Sequence, residues 1–217
     1  MPKGMLGLSL QEAAGPIEDL LEKLCGDEGP ECLKAFKRFL RKEDHPWPEA
    51  VKVASDLFEF VTTVKQPAIP SFDAEAMFVV TPEEQRKTAK VLIGWVGPKL
   101  QGLVKGLVET DVAEATLNVR QLTRLATNRK IFDALGGEGG IEVALAHVWQ
   151  MLEPQGRGRE GILLTNNGWA NIIPVRINGV TWAVYCYWRP DYGDWDVEAY
   201  PVTYPNEWYA GDRVFSR

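Results

Sequence analysis

The chain has 217 residues, enough for one domain or two small ones, with 45% apolar and 25% charged residues as in ordinary globular proteins. Its formal charge of −6 argues against general binding to nucleic acid or anionic membranes. No apolar run reaches the length of a membrane span, and three cysteines (Cys25, Cys32, Cys186) have the spacing of neither a disulfide framework nor a zinc site.

The N-terminus, with Leu6 and Leu8 split by Gly7, has no apolar core long enough for a signal peptide, so a soluble, cytoplasmic protein is expected. Pro16 starts a helical pattern with Ile17, Leu20, Leu21 and Leu24 on one face, ended by Cys25-Gly26. A second helix is predicted from Glu31 to Lys42, with Leu33, Phe36 and Leu40 inward. Its outer side carries Lys34, Lys37, Arg38 and Arg41, the one concentrated positive surface, read as a solvated face. Cys25 and Cys32 flank the turn and are expected to stay reduced in a cytosolic compartment. His45 lies in the stiff link Asp44-His45-Pro46-Trp47-Pro48, with no nucleophile or second ligand nearby. A third helix is predicted from Glu49 to Val64, burying Val51, Ala54, Leu57, Phe58 and Val61.

Gln66-Pro67-Ala68-Ile69-Pro70 is the best candidate boundary. Beyond it Ala76–Val80 reads as a strand, and Thr81-Pro82-Glu83-Glu84 has the form of a helix cap. Val91–Val96 is too short an apolar run to assign to helix or strand. Gly97-Pro98 restarts a helix to about Val108, with Leu100, Leu103, Val104 and Leu107 inward, and Ala113–Val119 alternates like a strand. A helix over Asn128–Leu135 stops at the cluster Gly136-Gly137-Glu138-Gly139-Gly140, and another follows over Ile141–Leu152 with His147 as a packing residue. The glycines lack the terminal Lys-Ser/Thr and the spacing of a phosphate loop, and Glu138 would repel phosphate. Pro154–Arg159 reads as a flexible link.

The last third carries five of the eight Trp and all six Tyr. Asn167-Gly168 and Asn178-Gly179 have the composition of two-residue hairpin turns, because Asn and Gly tolerate the positive φ such turns require. Placing Asn178-Gly179 at a turn sets Ile177 opposite Val180, Val175 opposite Trp182 and Ile173 opposite Val184. A loop over Arg189–Asp194 then sets Trp188 opposite Trp195 and Cys186 opposite Val197. One face collects Ile173, Val175, Ile177, Val180, Trp182, Val184, Cys186 and Trp188 and is the expected core. The other collects Ile172, Arg176, Thr181, Ala183, Tyr185, Tyr187, Asp196, Glu198 and Tyr200.

The expected fold is therefore α+β: a helical N-terminal region (1–66), a mixed α/β middle (67–157) and a C-terminal antiparallel meander of about four strands (158–217), packed as one or two compact domains.

The order Phe78-Val79-Val80, Leu92-Ile93-Gly94-Trp95-Val96-Gly97 and Ala134-Leu135-Gly136-Gly137-Glu138 continues into Leu163-Leu164-Thr165-Asn166, Trp169-Ala170-Asn171-Ile172 and the ending Gly211-Asp212-Arg213-Val214-Phe215-Ser216-Arg217. On these segments the chain resembles uncharacterised predicted proteins of reduced-genome bacteria known from environmental sequence. That resemblance implies a small cytosolic bacterial protein and carries no activity, cofactor or catalytic residue with it.

Two functional readings remain. In the first, Arg176, Tyr185, Tyr187, Asp196, Glu198 and Tyr200 form an aromatic and charged face that binds a protein partner, with no cofactor and no enzymatic role. In the second, Asp191, Asp194, Asp196 and Glu198, the densest acid cluster, serve a metal-assisted hydrolase. Whether the tyrosine face is open to water or covered by the protein's own helices decides how much of the first reading survives.

Overall fold

The structure, a computed structural model, describes residues 57–166 and 168–217. All of them belong to the second of two compact units, Val53–Arg217. The expected helices over 16–25 and 31–42, the cationic stripe, Cys25, Cys32 and His45 lie outside the described residues.

Strands make up 41% of the described residues and helices 21%, which corrects the expected α+β division. In place of a mixed middle followed by a separate four-stranded antiparallel meander there is one seven-stranded mixed sheet, in the order β1-β5-β11-β7-β8-β9-β3. Its strands are β1 (Phe58–Gln66), β3 (Ile93–Val96), β5 (Ala115–Leu122), β7 (Ala170–Ile177), β8 (Val180–Arg189), β9 (Asp194–Pro201) and β11 (Arg213–Ser216). Two pairs are parallel, β11 with β7 and β3 with β9, and the others are antiparallel. Two small two-stranded sheets accompany it: β2 (Ile69–Asp73) with β4 (Val108–Val112), and β6 (Ala126–Thr127) with β10 (Glu207–Trp208). The described residues also form four short α-helices: α1 (Ala74–Met77), α2 (Pro98–Val104), α3 (Asn128–Ala134) and α4 (Leu145–Leu152). Among the described residues no helix is long and apolar enough to cross a membrane.

The β7–β8–β9 registers are those the sequence predicts, Val175 with Trp182, Trp188 with Trp195 and Tyr185 with Glu198 among them. Asn178 and Gly179 both take positive φ, 51° and 78°, the geometry whose twist suits a two-residue hairpin. The inward face packs Ile173, Val175, Val184, Cys186, Trp195 and Val197 against Leu100, Val104, Leu145, Val148 and Leu152. The opposite face is also partly covered. Ile172, Ala183 and Val214 join Ile131 and Phe132 of α3 in a second core.

Several local expectations are corrected. The helix predicted to Val64 is strand from Phe58, paired with β5 from Phe58–Leu122 to Gln66–Ala115. The Phe58–Val64 run is rich in aromatic and β-branched residues, which favour a pleated surface, and the sheet pairing decides between the two patterns. Ala76–Val80 is not a strand. Asp73 caps the one-turn helix α1, accepting from the Ala76 N–H at 3.0 Å. Thr81 caps no helix. Its hydroxyl accepts from the Ile93 N–H at 2.9 Å, and only a 3₁₀ turn forms at Glu83–Gln85. The undecided 91–96 run is strand from Ile93.

Leu163–Thr165 and Trp169–Asn171 do not form a hairpin around Gly168. Side chains substitute for a strand partner there. The Gln155 amide bonds both the N–H and the carbonyl of Leu163, and the Asn171 amide does the same for Leu164. The expected flexible link at Pro154–Arg159 is also anchored, with Gln155 buried and Arg157 reaching the Arg86, Lys87 and Ala89 carbonyls at 2.8–2.9 Å.

His147 is fully buried on α4, and neither ring nitrogen has a hydrogen-bond partner among the described residues. Burial lowers its pKa from the usual histidine value, the nearby Pro67 carbonyl opposes that shift, and the Arg217 charge adds to it. The folded protein thus keeps a neutral imidazole while the unfolded chain takes up a proton below about pH 6.5. The stability this contributes is complete above that pH and is lost as pH falls toward the folded-state value. The thermal midpoint of the wild type should therefore drop between about pH 7.5 and 5.5 more than that of His147→Met. Parallel curves for the two proteins would show that His147 is not the titrating group.

Candidate functional site: a tyrosine–tryptophan stack

The six candidate residues sit on one side of β7–β9, as their alternation requires, but they do not form one site. Arg176 is bound by Glu142 at 3.0 Å, and the Thr181 hydroxyl donates to the same carboxylate. Glu142 also accepts from the Gly139 and Gly140 N–H groups at 2.9 and 2.7 Å, so it fastens the glycine turn to the sheet. Burial opposes its charge, yet backbone N–H groups of Glu142 and Gly140, together with Arg176 and Thr181, hold its carboxyl at about 2. The glycine cluster is a turn closed by this carboxylate. Gly136, Gly137, Gly139 and Gly140 all take positive φ.

Glu198 is 5% exposed and accepts from the Leu100 N–H at 2.9 Å. It caps the N-terminal turn of α2, whose own N-cap, Gly97, supplies no side chain. A Cβ at position 97 would collide with the Glu198 carboxylate. Asp196 lies 3.0 Å from Arg189 Nε, and burial raises its pKa against that cation's influence. Asp194, also buried, receives Arg189 on Oδ1 at 2.7 Å and Arg86 on Oδ2 at 3.0 Å.

The acid cluster is thereby divided. Asp194 is bound by two guanidinium groups, Glu198 serves a helix end, and Asp191 lies exposed on the β8–β9 turn. Among the described residues no three His, Cys, Asp or Glu side chains are grouped to hold a metal ion. Cys186 is wholly buried, which pushes its thiol up to about 12 and leaves it protonated at neutral pH.

The aromatic residues do converge. Tyr185 and Tyr200 stack with centroids 5.2 Å apart, and Tyr204 lies on Tyr200 at 3.9 Å with the rings 8° from parallel. Trp208 leans on both, at 5.3 Å from Tyr185 and 6.2 Å from Tyr200. All four are half-buried, so one part of each ring is packed and another faces solvent. A turn closed by the Tyr204 N–H on the Pro201 carbonyl (3.0 Å) folds Tyr204 back over Tyr200. The buried Asn128 amide ties the far end, donating to Pro201 at 2.9 Å and accepting from Trp208 Nε1 at 2.6 Å. Burial, then the Tyr200 hydroxyl and the Glu198 and Asp196 charges, raise the Tyr185 pKa, so this phenol stays neutral. Tyr187 is half-buried beside Asp196 and joins no ring stack among the described residues.

Tyr204 and Trp208 were not legible as members of this group. They follow Pro201 in a segment without periodicity, and their only signal is the density of aromatics after residue 180. No protein-family model matches the chain, and comparison with curated proteins and with solved structures likewise gives no match.

The geometry separates scaffold from surface. Glu198→Ala should cost about 1–2 kcal/mol through the lost helix cap, whereas Tyr204→Ala should cost about 0.5–1.5 kcal/mol and leave the fold intact. Denaturant unfolding of both variants checks this; a larger loss for Tyr204→Ala than for Glu198→Ala would make the stack part of the core.

Proposed function

We propose that the protein is a soluble, cytoplasmic binding protein whose partner-facing surface is the Tyr185–Tyr200–Tyr204–Trp208 stack. The observation that carries this reading is the near-parallel Tyr200–Tyr204 pair, held from behind by Asn128 and Trp208 and left half open to solvent. Rings fixed in this way offer a large contact area and lose little conformational entropy on binding. The polar groups nearby do not suggest a reaction, because the arginines and carboxylates that could take part are engaged with one another or with backbone.

The chemistry favours a partner segment bearing arginine or lysine. Ring faces attract cations, the chain carries a net charge of −6, and the exposed Glu207 stands next to Trp208.

Titrating arginine-rich, proline-rich and acidic peptides against Trp208 fluorescence tests the proposal. Saturable binding of the arginine-rich peptide is expected, weakened by Tyr200→Ala with Tyr204→Ala, and with acidic peptides inert. Equal binding by the double variant, or no response to the basic peptide at low salt, would remove the stack as the partner surface.

A further inference from the structure

At the opposite end of the 204–211 segment lies a cleft of about 490 Å³, within the ~300–1,000 Å³ typical of small-molecule sites. Its walls are Glu59 of β1, Gln121 and Thr123 at the end of β5, Asn166 and Trp169 of the loop before β7, and Gly211. Glu59 and Gln121 are direct cross-strand partners, so their side chains stand side by side on one face. Trp169 is seated by the fold. Its six-membered ring lies against Gly211, at φ 107°, where any Cβ would strike the ring. No other aromatic side chain stacks on it among the described residues.

The chain on either side of Asn166 and Trp169 is anchored. Asn171 grips Leu164 from one side, and Asp212 accepts from the Ala170 N–H at 2.7 Å on the other. The polar side chains of the cleft differ from the scaffolding carboxylates in being uncommitted. Glu142, Glu198, Asp194 and Asp212 are all consumed by scaffolding bonds, whereas Glu59, Gln121 and Asn166 have no side-chain partner among the described residues. The next residue on the Glu59–Gln121 row, Arg213, gives its Nη1 to the Ile162 carbonyl at 2.6 Å, and its Nε is buried without a partner.

We infer that this cleft is a binding site for a neutral saccharide, with Trp169 as the platform for a sugar ring and Glu59, Gln121 and Asn166 as its hydroxyl partners. Carboxylate and primary-amide groups offer paired acceptors and donors that suit vicinal hydroxyls, and an indole face suits the C–H face of a pyranose. The Glu59 charge disfavours anionic ligands such as phosphates and uronic acids. The site shares no residue with the tyrosine stack, so neither reading depends on the other.

The test uses the full chain labelled with ¹⁵N-tryptophan, the Trp169 indole signal being assigned by its loss in Trp169→Phe. Glucose, N-acetylglucosamine, cellobiose and chitobiose are titrated beside glucuronate and glucose 6-phosphate. Saturable movement of the Trp169 signal with at least one neutral sugar is expected, with no saturation by the anions. The double variant Glu59→Ala/Asn166→Ala should abolish saturation while keeping the wild-type melting temperature. A Trp169 signal that no neutral sugar moves, that moves equally in the double variant, or that prefers the anions would overturn the inference.

Discussion

The insertion of the last strand between β5 and β7 is the contact on which the rest of the molecule depends. Arg213–Ser216 is only four residues long, yet it bonds antiparallel to β5 on one side and parallel to β7 on the other. Without it the β7–β8–β9 meander and the β1–β5 pair would be two separate small sheets. Val214 and Phe215, both fully buried, point to opposite faces and enter the two different cores. Asp212, immediately before the strand, accepts from the Ala170 and Tyr209 N–H groups at 2.7 and 2.8 Å and so aligns the start of β7 with the start of β11. Burial raises the Asp212 pKa, and these two backbone bonds pull it back.

A second theme is the use of carboxylates and amides in place of local capping. Glu109 caps α4 through the Leu145 and Ala146 N–H groups, because the N-cap there is Ala144. Glu198 does the same for α2, and Glu142 closes the glycine turn while holding Arg176. The Glu109 and Glu198 caps and the Glu142–Arg176 pair span long sequence separations, so each ties a helix end or turn to a distant strand. They also explain why the densest acid cluster is structural. Asp194 with Arg86 and Arg189 joins the 3₁₀ turn at Glu83–Gln85 to the β8–β9 turn.

With the buried carboxylates committed to scaffolding, the two candidate surfaces lie at the two ends of the Tyr204–Gly211 segment. At one end tyrosine rings are stacked and half open; at the other a tryptophan rests on glycine beside uncommitted polar side chains.

The hairpin register of β7–β9 was determined by sequence alone, because a period of two and an Asn-Gly turn leave one alignment that buries Ile173, Val175, Val184, Cys186 and Trp195 together. Three helices were legible for the same local reasons of spacing and punctuation, although those expected to Val108 and from Ile141 are shorter in the fold, ending at Val104 and starting at Leu145, and the membership of Tyr185 and Tyr200 on a common face was legible too. Tertiary structure alone decided that Phe58–Gln66 is strand, that Arg213–Ser216 enters the middle of the sheet, and that α3 covers part of the second face. Each depends on a partner distant in sequence, and a chain read locally carries no signal for that pairing energy. The same holds for Arg176 and Glu198, whose charges looked available until Glu142 and the α2 N-terminus were placed beside them.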